Sequence, residues 1–503
     1  MAYIRKSFAT CISCALIMKQ RIFGIPHRII FFTILIFGIV SKLLISKNTD
    51  LSNDEVFSIY HAQMSVVDLF KELSTGNNPP LFETILHFWI KLFGIDENVV
   101  RIPSIIFSVV SSIFIYFIAK LVSDNDEKSG LLASLLFTLS LFISTLQIET
   151  RAYSLMIMLV IINSYSFLRN IQTKSTNYWQ SVWILSTVFG WYTHFFTIWI
   201  FIVQVVYVLF KFKSLPIKKI IIGGVLILIL FSPYIGILIQ RFSATENEGT
   251  WVEAAKFDSI YFVLWQFCNN PISTILFFFG FGYFTHLSVK QKNINQQFVA
   301  LWFWLPFLLM YLISLPHKFS IPMFLERYVS FVAPALFIGL AVGIVQITKK
   351  LQTKSGLFTF LPLVFILFMC IGVKMKESKN IFKQYSELNK RNTLPQKTIL
   401  QPYYGAFSFL YFNNRQNFRD FATSKIYDHM ERQLAKNDIY TSRKNSLNDL
   451  LNDSSKSIVC IQGELNRTNE IYVVDSFLKS KNYYQLPLEI LKGKNCKIEI
   501  KTK

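Results

Sequence analysis

Long, uninterrupted apolar runs of about 17 to 25 residues recur along this chain, and no other feature limits its possible folds as strongly. A helix rises 1.5 Å per residue, so each run covers roughly 30 Å of hydrocarbon. The expected class is a polytopic α-helical membrane protein. Spans are expected at about 29–46, 99–122, 130–147, 152–168, 181–192, 195–210, 219–239, 260–283, 297–315, 325–347 and 356–374. That makes about eleven, give or take two, because the fifth and sixth are short and nearly fused. Composition excludes a water-soluble enzyme of this size: of 503 residues 52% are hydrophobic, only 16% are charged and 50 are Phe.

The formal charge of +21 would suggest nucleic acid in a soluble chain, but here the basic residues crowd the short loops and act as topology signals. No nucleic-acid partner is expected. Residues 1–28 carry Arg5, Lys6, Lys19, Arg21 and Arg28 around a stretch too short to span, and read as a cytoplasmic N-terminus. With that end inside, the cytoplasmic loops hold Lys120 and Lys128, Arg169 and Lys174, Lys211 to Lys219, Lys290 and Lys292, then Lys349, Lys350 and Lys354. The positive-inside rule sets this orientation without reference to function. A multi-pass protein of a bacterial-type inner (plasma) membrane is expected, with residues 29–375 as its membrane domain.

Residues 376–503 then lie outside. Strand-like runs Ser457 to Gln462 and Cys496 to Ile500, with a helix-like run Glu470 to Ser480, suggest a small α/β domain. Cys460 and Cys496 are candidates to pair there. Cys11-x-x-Cys14 has neither a second pair nor a βαβ context, so it carries no metal or redox expectation.

The outer loop 47–98 far exceeds an ordinary connection, and loops of that length are usually functional. Val56 to Leu73 and Leu81 to Phe93 space their apolar residues by three and four and read as helices lying on the membrane surface, separated by Pro79-Pro80. Polar clusters gather at the outer ends of the spans: Asn53-Asp54-Glu55, Asn78 before the prolines, Arg101, Glu149 to Tyr153 with Arg151, Tyr192 and His194, and Arg327-Tyr328. Few ionisable groups fall near the midplane, where a proton-coupled transporter would be expected to hold them.

Sugar transfer from a polyprenyl phosphate calls for this assortment. A carboxylate takes the acceptor's proton, and cationic or polar donors hold the departing phosphate at headgroup depth. Asp54 or Glu55 is the candidate base, and Arg101, Arg151 and Arg327 are candidate phosphate ligands. Plainer readings stand beside these. Asp54-Glu55 also suits a helix N-terminus, each Arg is also an interfacial anchor, Glu149 and Arg151 also suit a local ion pair, and His194 also suits a satisfied interfacial position. Gly280-Phe281-Gly282 reads as packing. No cofactor and no metal site are predicted, although a divalent ion is compatible with phosphate chemistry.

Taken in order, Asn53-Asp54-Glu55, Asn78-Pro79-Pro80-Leu81, Phe88-Trp89, Arg101-Ile102-Pro103-Ser104, Arg151-Ala152-Tyr153, Tyr192-Thr193-His194 and Arg327-Tyr328 resemble the C-type membrane glycosyltransferases. The nearest branch is similar to the protein O-mannosyltransferase and lipid A aminoarabinose transferase group, over residues 29–375. The resemblance implies an inverting transferase that uses a polyprenyl-phosphate sugar donor. Asp54 matches the base and Glu55 an acid that positions the acceptor, which is a lipid, glycan or protein. Asn78 departs from the group, which commonly has His before the two prolines. The competing class is a transporter, flippase or polymerase of surface polysaccharide.

Overall fold

The computed structural model describes residues 21–22, 25–74, 78–172, 177–248, 252–317, 320–350, 380–390, 397–401, 403–413, 415, 418, 426–436, 438–443, 457–463, 484–493 and 496–502. The chain divides into two compact units: Met1–Ser46, Leu73–Phe82 and Arg101–Met375 form a membrane unit, and Lys47–Glu72, Glu83–Val100 and Lys376–Lys503 form a second unit, called the outer unit after the side expected from the sequence.

The membrane unit is helical. Its principal helices are α1 (His27–Asn48), α5 (Ile102–Val122), α6 (Glu127–Leu139), α7 (Leu141–Leu146), α8 (Ala152–Asn170), α9 (Asn177–Thr193), α10 (Ile198–Lys211), α11 (Ile217–Glu248), α12 (Ser259–Cys268), α13 (Pro271–Lys290), α14 (Ile294–Ser314) and α15 (Ala333–Lys350). Among the described residues, eight helices are long and apolar enough to cross a membrane, so the chain is a multi-pass membrane protein.

Three of the eleven expected runs, 130–147, 181–192 and 356–374, are not among these eight. The run 130–147 breaks at Ser140, whose extended backbone ends α6 and starts α7. The run 181–192 becomes α9, at 17 residues shorter than a usual span. The run 260–283 is two helices, α12 and α13, parted by Asn269 at φ +66° and restarted by the Asn270 cap and Pro271. The run 356–374 lies outside the described residues, as do Cys11, Cys14 and the run Glu470 to Ser480.

The two breaks satisfy each other. Asn269 Oδ1 accepts the Leu141 amide at 2.8 Å and Asn269 Nδ2 donates to the Leu139 carbonyl at 2.9 Å, while Ser140 Oγ donates to the Phe267 carbonyl at 2.9 Å. In hydrocarbon, backbone groups freed by a broken helix must find such partners. A second polar seam joins α8, α9 and α10: Trp183 Nε1 donates to Gln204 Oε1 at 2.8 Å, and Asn163 Nδ2 to Thr187 Oγ1 at 2.6 Å.

Small residues let backbones approach elsewhere. A Cβ on Gly130 would stand 2.6 Å from the Tyr116 ring, and one on Gly280 would stand 2.9 Å from Leu340, so Gly280 packs as expected. At the cytoplasmic end expected from the sequence, buried His27 and Lys120 both reach Glu127, at 2.7 and 3.4 Å. One charge escaped the sequence reading: Lys42, midway along the inward stripe of α1, is 1% exposed.

The outer unit contains α2 (Asn53–Ala62), most of α3 (Val66–Ser74) and of α4 (Leu81–Phe93), then α16 (Ile381–Lys390), α17 (Gly405–Asn413) and α18 (Ile426–Ala435). Five strands form one sheet: β1 (Thr398–Gln401), β2 (Ile439–Thr441), β3 (Ser457–Gly463), β4 (Tyr484–Gly493) and β5 (Cys496–Thr502), in the order β2-β1-β3-β5-β4. The first three pair in parallel and the rest antiparallel. Cys460 stands opposite Glu499 and Cys496 opposite Gly463, three rungs apart. That is roughly 10 Å along the strands, beyond disulfide reach.

The single helix expected over Val56 to Leu73 is two. Ser65 ends it by capping the next turn, accepting the Asp68 amide at 3.2 Å and donating to Asp68 Oδ2 at 2.6 Å. Helices α3 and α4 each keep an uncovered apolar edge, with Val67 78% and Leu92 76% exposed.

Candidate functional site

The site residues anticipated from the sequence divide between the two units. In the outer unit, Ser52 caps α2: its Oγ accepts the Glu55 amide at 3.3 Å, and Glu55 Oε2 accepts the Ser52 amide at 2.8 Å. This is a capping box, which satisfies two helix-end donors at once. Glu55 is thereby buried and committed to the helix start, whereas Asp54 beside it is exposed. The two neighbouring acids therefore have different surroundings: one holds the backbone, the other is exposed on the first helical turn.

The same short segment is gripped by residues more than 320 positions away in sequence. Asn380 donates its amide to Asp50 Oδ2 at 2.9 Å and its side-chain Nδ2 to the Leu51 carbonyl at 2.8 Å. Lys383 Nζ bonds Asp50 at 2.8 Å and Glu97 at 3.1 Å. Ser408 Oγ donates to Asn53 Oδ1 at 2.6 Å. The Phe407 ring meets Phe57 and Tyr60 edge-on, at 5.8 and 5.0 Å.

In the membrane unit, His194 lies in the connection between α9 and α10, with its Nδ1 accepting the Phe196 amide at 3.3 Å. Its ring stands 5.6 Å from that of Tyr153 and 5.8 Å from that of Tyr328. Burial, reinforced by the charges of Arg151 and Arg327, pushes its imidazole down to about 3. Arg151, Tyr153, His194, Arg327 and Tyr328, drawn from three separate stretches of chain, are thus brought into one cluster around a neutral imidazole. Arg327 also lies over the Tyr328 ring at 6.0 Å.

The other anticipated residues make contacts of their own. Tyr192 turns toward α11, with its ring against Phe231 and Tyr234. Arg101 is buried and donates to the Ser46 carbonyl at the end of α1, at 3.0 Å. Glu149 contributes its carbonyl to Ser104 Oγ at 2.7 Å and to the Arg151 amide at 2.8 Å, which shapes the backbone on which Arg151 stands. Asn78 sits half-buried in the bend before buried Pro79 and Pro80.

The backbone of the whole chain can be set beside solved structures. ArnT from Cupriavidus metallidurans, bound to undecaprenyl phosphate, superposes with a TM-score of 0.60 over 94% of this chain and 97% of its own, at 10% identity. The fold is that of the C-type membrane glycosyltransferases. The archaeal oligosaccharyltransferase AglB from Archaeoglobus fulgidus, in complex with an inhibitory peptide and a dolichol-phosphate, matches with a TM-score of 0.53 over 90% of this chain and 72% of its own, at 9% identity. The sequence profile of the dolichyl-phosphate-mannose-protein mannosyltransferases matches residues 77–237. No curated protein sequence matches the chain.

Sequence reasoning passed over Asn380, Lys383 and Ser408 because a single serine or asparagine in a helix has no spacing signal. Their role is carried by long-range contacts, which one sequence does not display.

Proposed function

We propose that this protein is an integral-membrane glycosyltransferase that moves a sugar from a polyprenyl-phosphate-linked donor to an acceptor on the extracytoplasmic face, with inversion at the anomeric carbon. Convergence of Arg151 and Arg327 on the neutral His194 is the observation that carries this reading. Two guanidinium groups beside a neutral imidazole suit an anionic ligand, which they would hold through charge-assisted hydrogen bonds. Support also comes from ArnT and AglB, which share the fold and were solved with undecaprenyl phosphate and a dolichol-phosphate.

In this reading an acceptor hydroxyl attacks the anomeric carbon as the bond from that carbon to the phosphate oxygen breaks. The electron pair leaves with the polyprenyl phosphate, whose added negative charge Arg151 and Arg327 stabilise, with Arg101 as a third cation. The hydroxyl proton goes to Asp54, which the exposed first turn of α2 presents to solvent and acceptor. Glu55 serves the acceptor indirectly by fixing the turn on which Asp54 stands. A neutral His194 offers a hydrogen bond without adding a further charge.

Purified protein in liposomes, given a radiolabelled polyprenyl-phosphate sugar and a membrane extract as acceptor source, is expected to release polyprenyl phosphate and label an acceptor. Movement of the intact labelled lipid between leaflets with no cleavage of the sugar would instead favour a flippase.

A further inference from the structure

Asp54 cannot be placed by its own helix alone. Helix α2 is ten residues long, shorter than an isolated helix needs for stability in water, so its position depends on what it packs against. That support comes from the C-terminal segment of the same unit. Strand β1 runs directly toward α17, a helix buried on nearly every side: Ala406, Phe407, Ser408, Phe409 and Tyr411 are all enclosed. A Cβ at Gly405 would overlap the Phe382 ring, so the helix can begin at that point only with glycine. Tyr411 Oη donates to the Ile95 carbonyl at 2.6 Å, fixing the far end of α17. Between these fixed ends, Ser408 points its hydroxyl at Asn53, the first residue of α2 and the one before Asp54.

Resting on the reading of Asp54 as the base, we infer that Ser408 is a positioning residue for the reaction: through Asn53 it sets where the Asp54 carboxylate stands. The contacts around it serve the same end. Asp50 and Leu51 are tied by Asn380, Glu55 is tied by the capping box, and Asn53 is tied by Ser408. These ties lead to the local cap and to the C-terminal segment. The chemistry is assigned to one residue, and the geometry of that residue to a helix more than 350 positions away.

A displacement of about 1 Å in a reacting group can cost about a hundredfold in rate, so loss of one of several ties is expected to cost about tenfold. Ser408→Ala should lower kcat by about tenfold and leave KM for the lipid donor within about twofold, while Ser408→Thr, which keeps the hydroxyl, restores most of the rate. Arg415→Ala is the control. It removes the Arg415 pairs with Asp96 at 2.8 Å and Glu97 at 3.5 Å and leaves the Ser408–Asn53 bond in place. It should lower the thermal midpoint at least as much as Ser408→Ala while keeping kcat. Equal kcat losses in Ser408→Ala and Arg415→Ala, or full kcat in Ser408→Ala, would overturn the inference. An Asp54→Asn arm separates this from the function itself: if that variant stays active, the base assignment fails; if it is inactive and Ser408→Ala is normal, only the positioning role fails.

Discussion

The membrane unit and the outer unit hold their candidate residues by opposite means. In the membrane unit, Arg151, His194 and Arg327 stand on the ends of long, independently stable apolar helices, and packing of those helices suffices to gather them. In the outer unit, Asp54 stands on a short helix with little stability of its own, so it is held by a capping box and by ties from α16 and α17. Placing a charge at a headgroup-depth surface asks only for helices of the right length. Aligning the proposed base with a reacting carbon would ask for tighter control, for which contacts remote in sequence are present.

That contrast predicts which measurements should respond in each unit. The largest effect is expected from Asp54→Asn, which keeps shape and removes basicity, and should lower kcat by at least about a hundredfold. A folded Asp54→Asn protein with normal turnover would remove the acid from the chemistry. Next come the cations. Arg151→Ala and Arg327→Ala each forfeit charge-assisted bonds of about 1.5 to 3 kcal/mol, equivalent to roughly a 10- to 150-fold loss in donor affinity, with Lys a partial replacement. Isothermal titration or a filter assay with the lipid donor measures it, and unchanged affinity in both variants would contradict the phosphate role.

A stability change follows from the paired breaks. Asn269→Gly preserves the positive φ but removes the amide that serves Leu139 and Leu141. Each buried group left unsatisfied costs about 1 to 3 kcal/mol, seen as a lower thermal midpoint in detergent. An unchanged midpoint would mean that the breaks need no such bridge.

A further effect concerns acid. In the folded state His194 titrates near 3, below the ordinary histidine value near 6.5. The unfolded chain therefore binds the proton more readily between those values. The stability tied to the neutral imidazole is present above about pH 6.5 and is lost as pH falls toward 3. His194→Gln should flatten that decline between pH 7 and 4, and an identical slope in both proteins would show that the cluster does not hold His194 neutral.

Much of the fold was legible because lipid imposes one rule on every span: length and apolarity must match the hydrocarbon. The boundaries of α4 and of β3 could be read almost to the residue. Failures came where polar side chains override that rule. Ser140 and Asn269 end helices inside apolar runs, and Ser65 splits the expected surface helix, because each supplies hydrogen bonds that compete with the helix backbone. For the site, the types and order of the residues were legible, and so was the acidic pair. Which acid caps and which is exposed was not, since the choice turns on a bond between Glu55 and the Ser52 backbone. Nor was the turning of Tyr192 toward α11, which depends on helix rotation and not on spacing.

The central claim is a division of labour, with the acid of the outer unit acting in the chemical step and the cations of the membrane unit acting in donor binding. Equilibrium binding of the polyprenyl-phosphate sugar to purified Asp54→Asn protein tests it most directly. Saturable binding with an affinity within about twofold of the unmodified protein is expected although turnover is lost. Loss of donor binding in step with turnover, in a protein that remains folded, would contradict it.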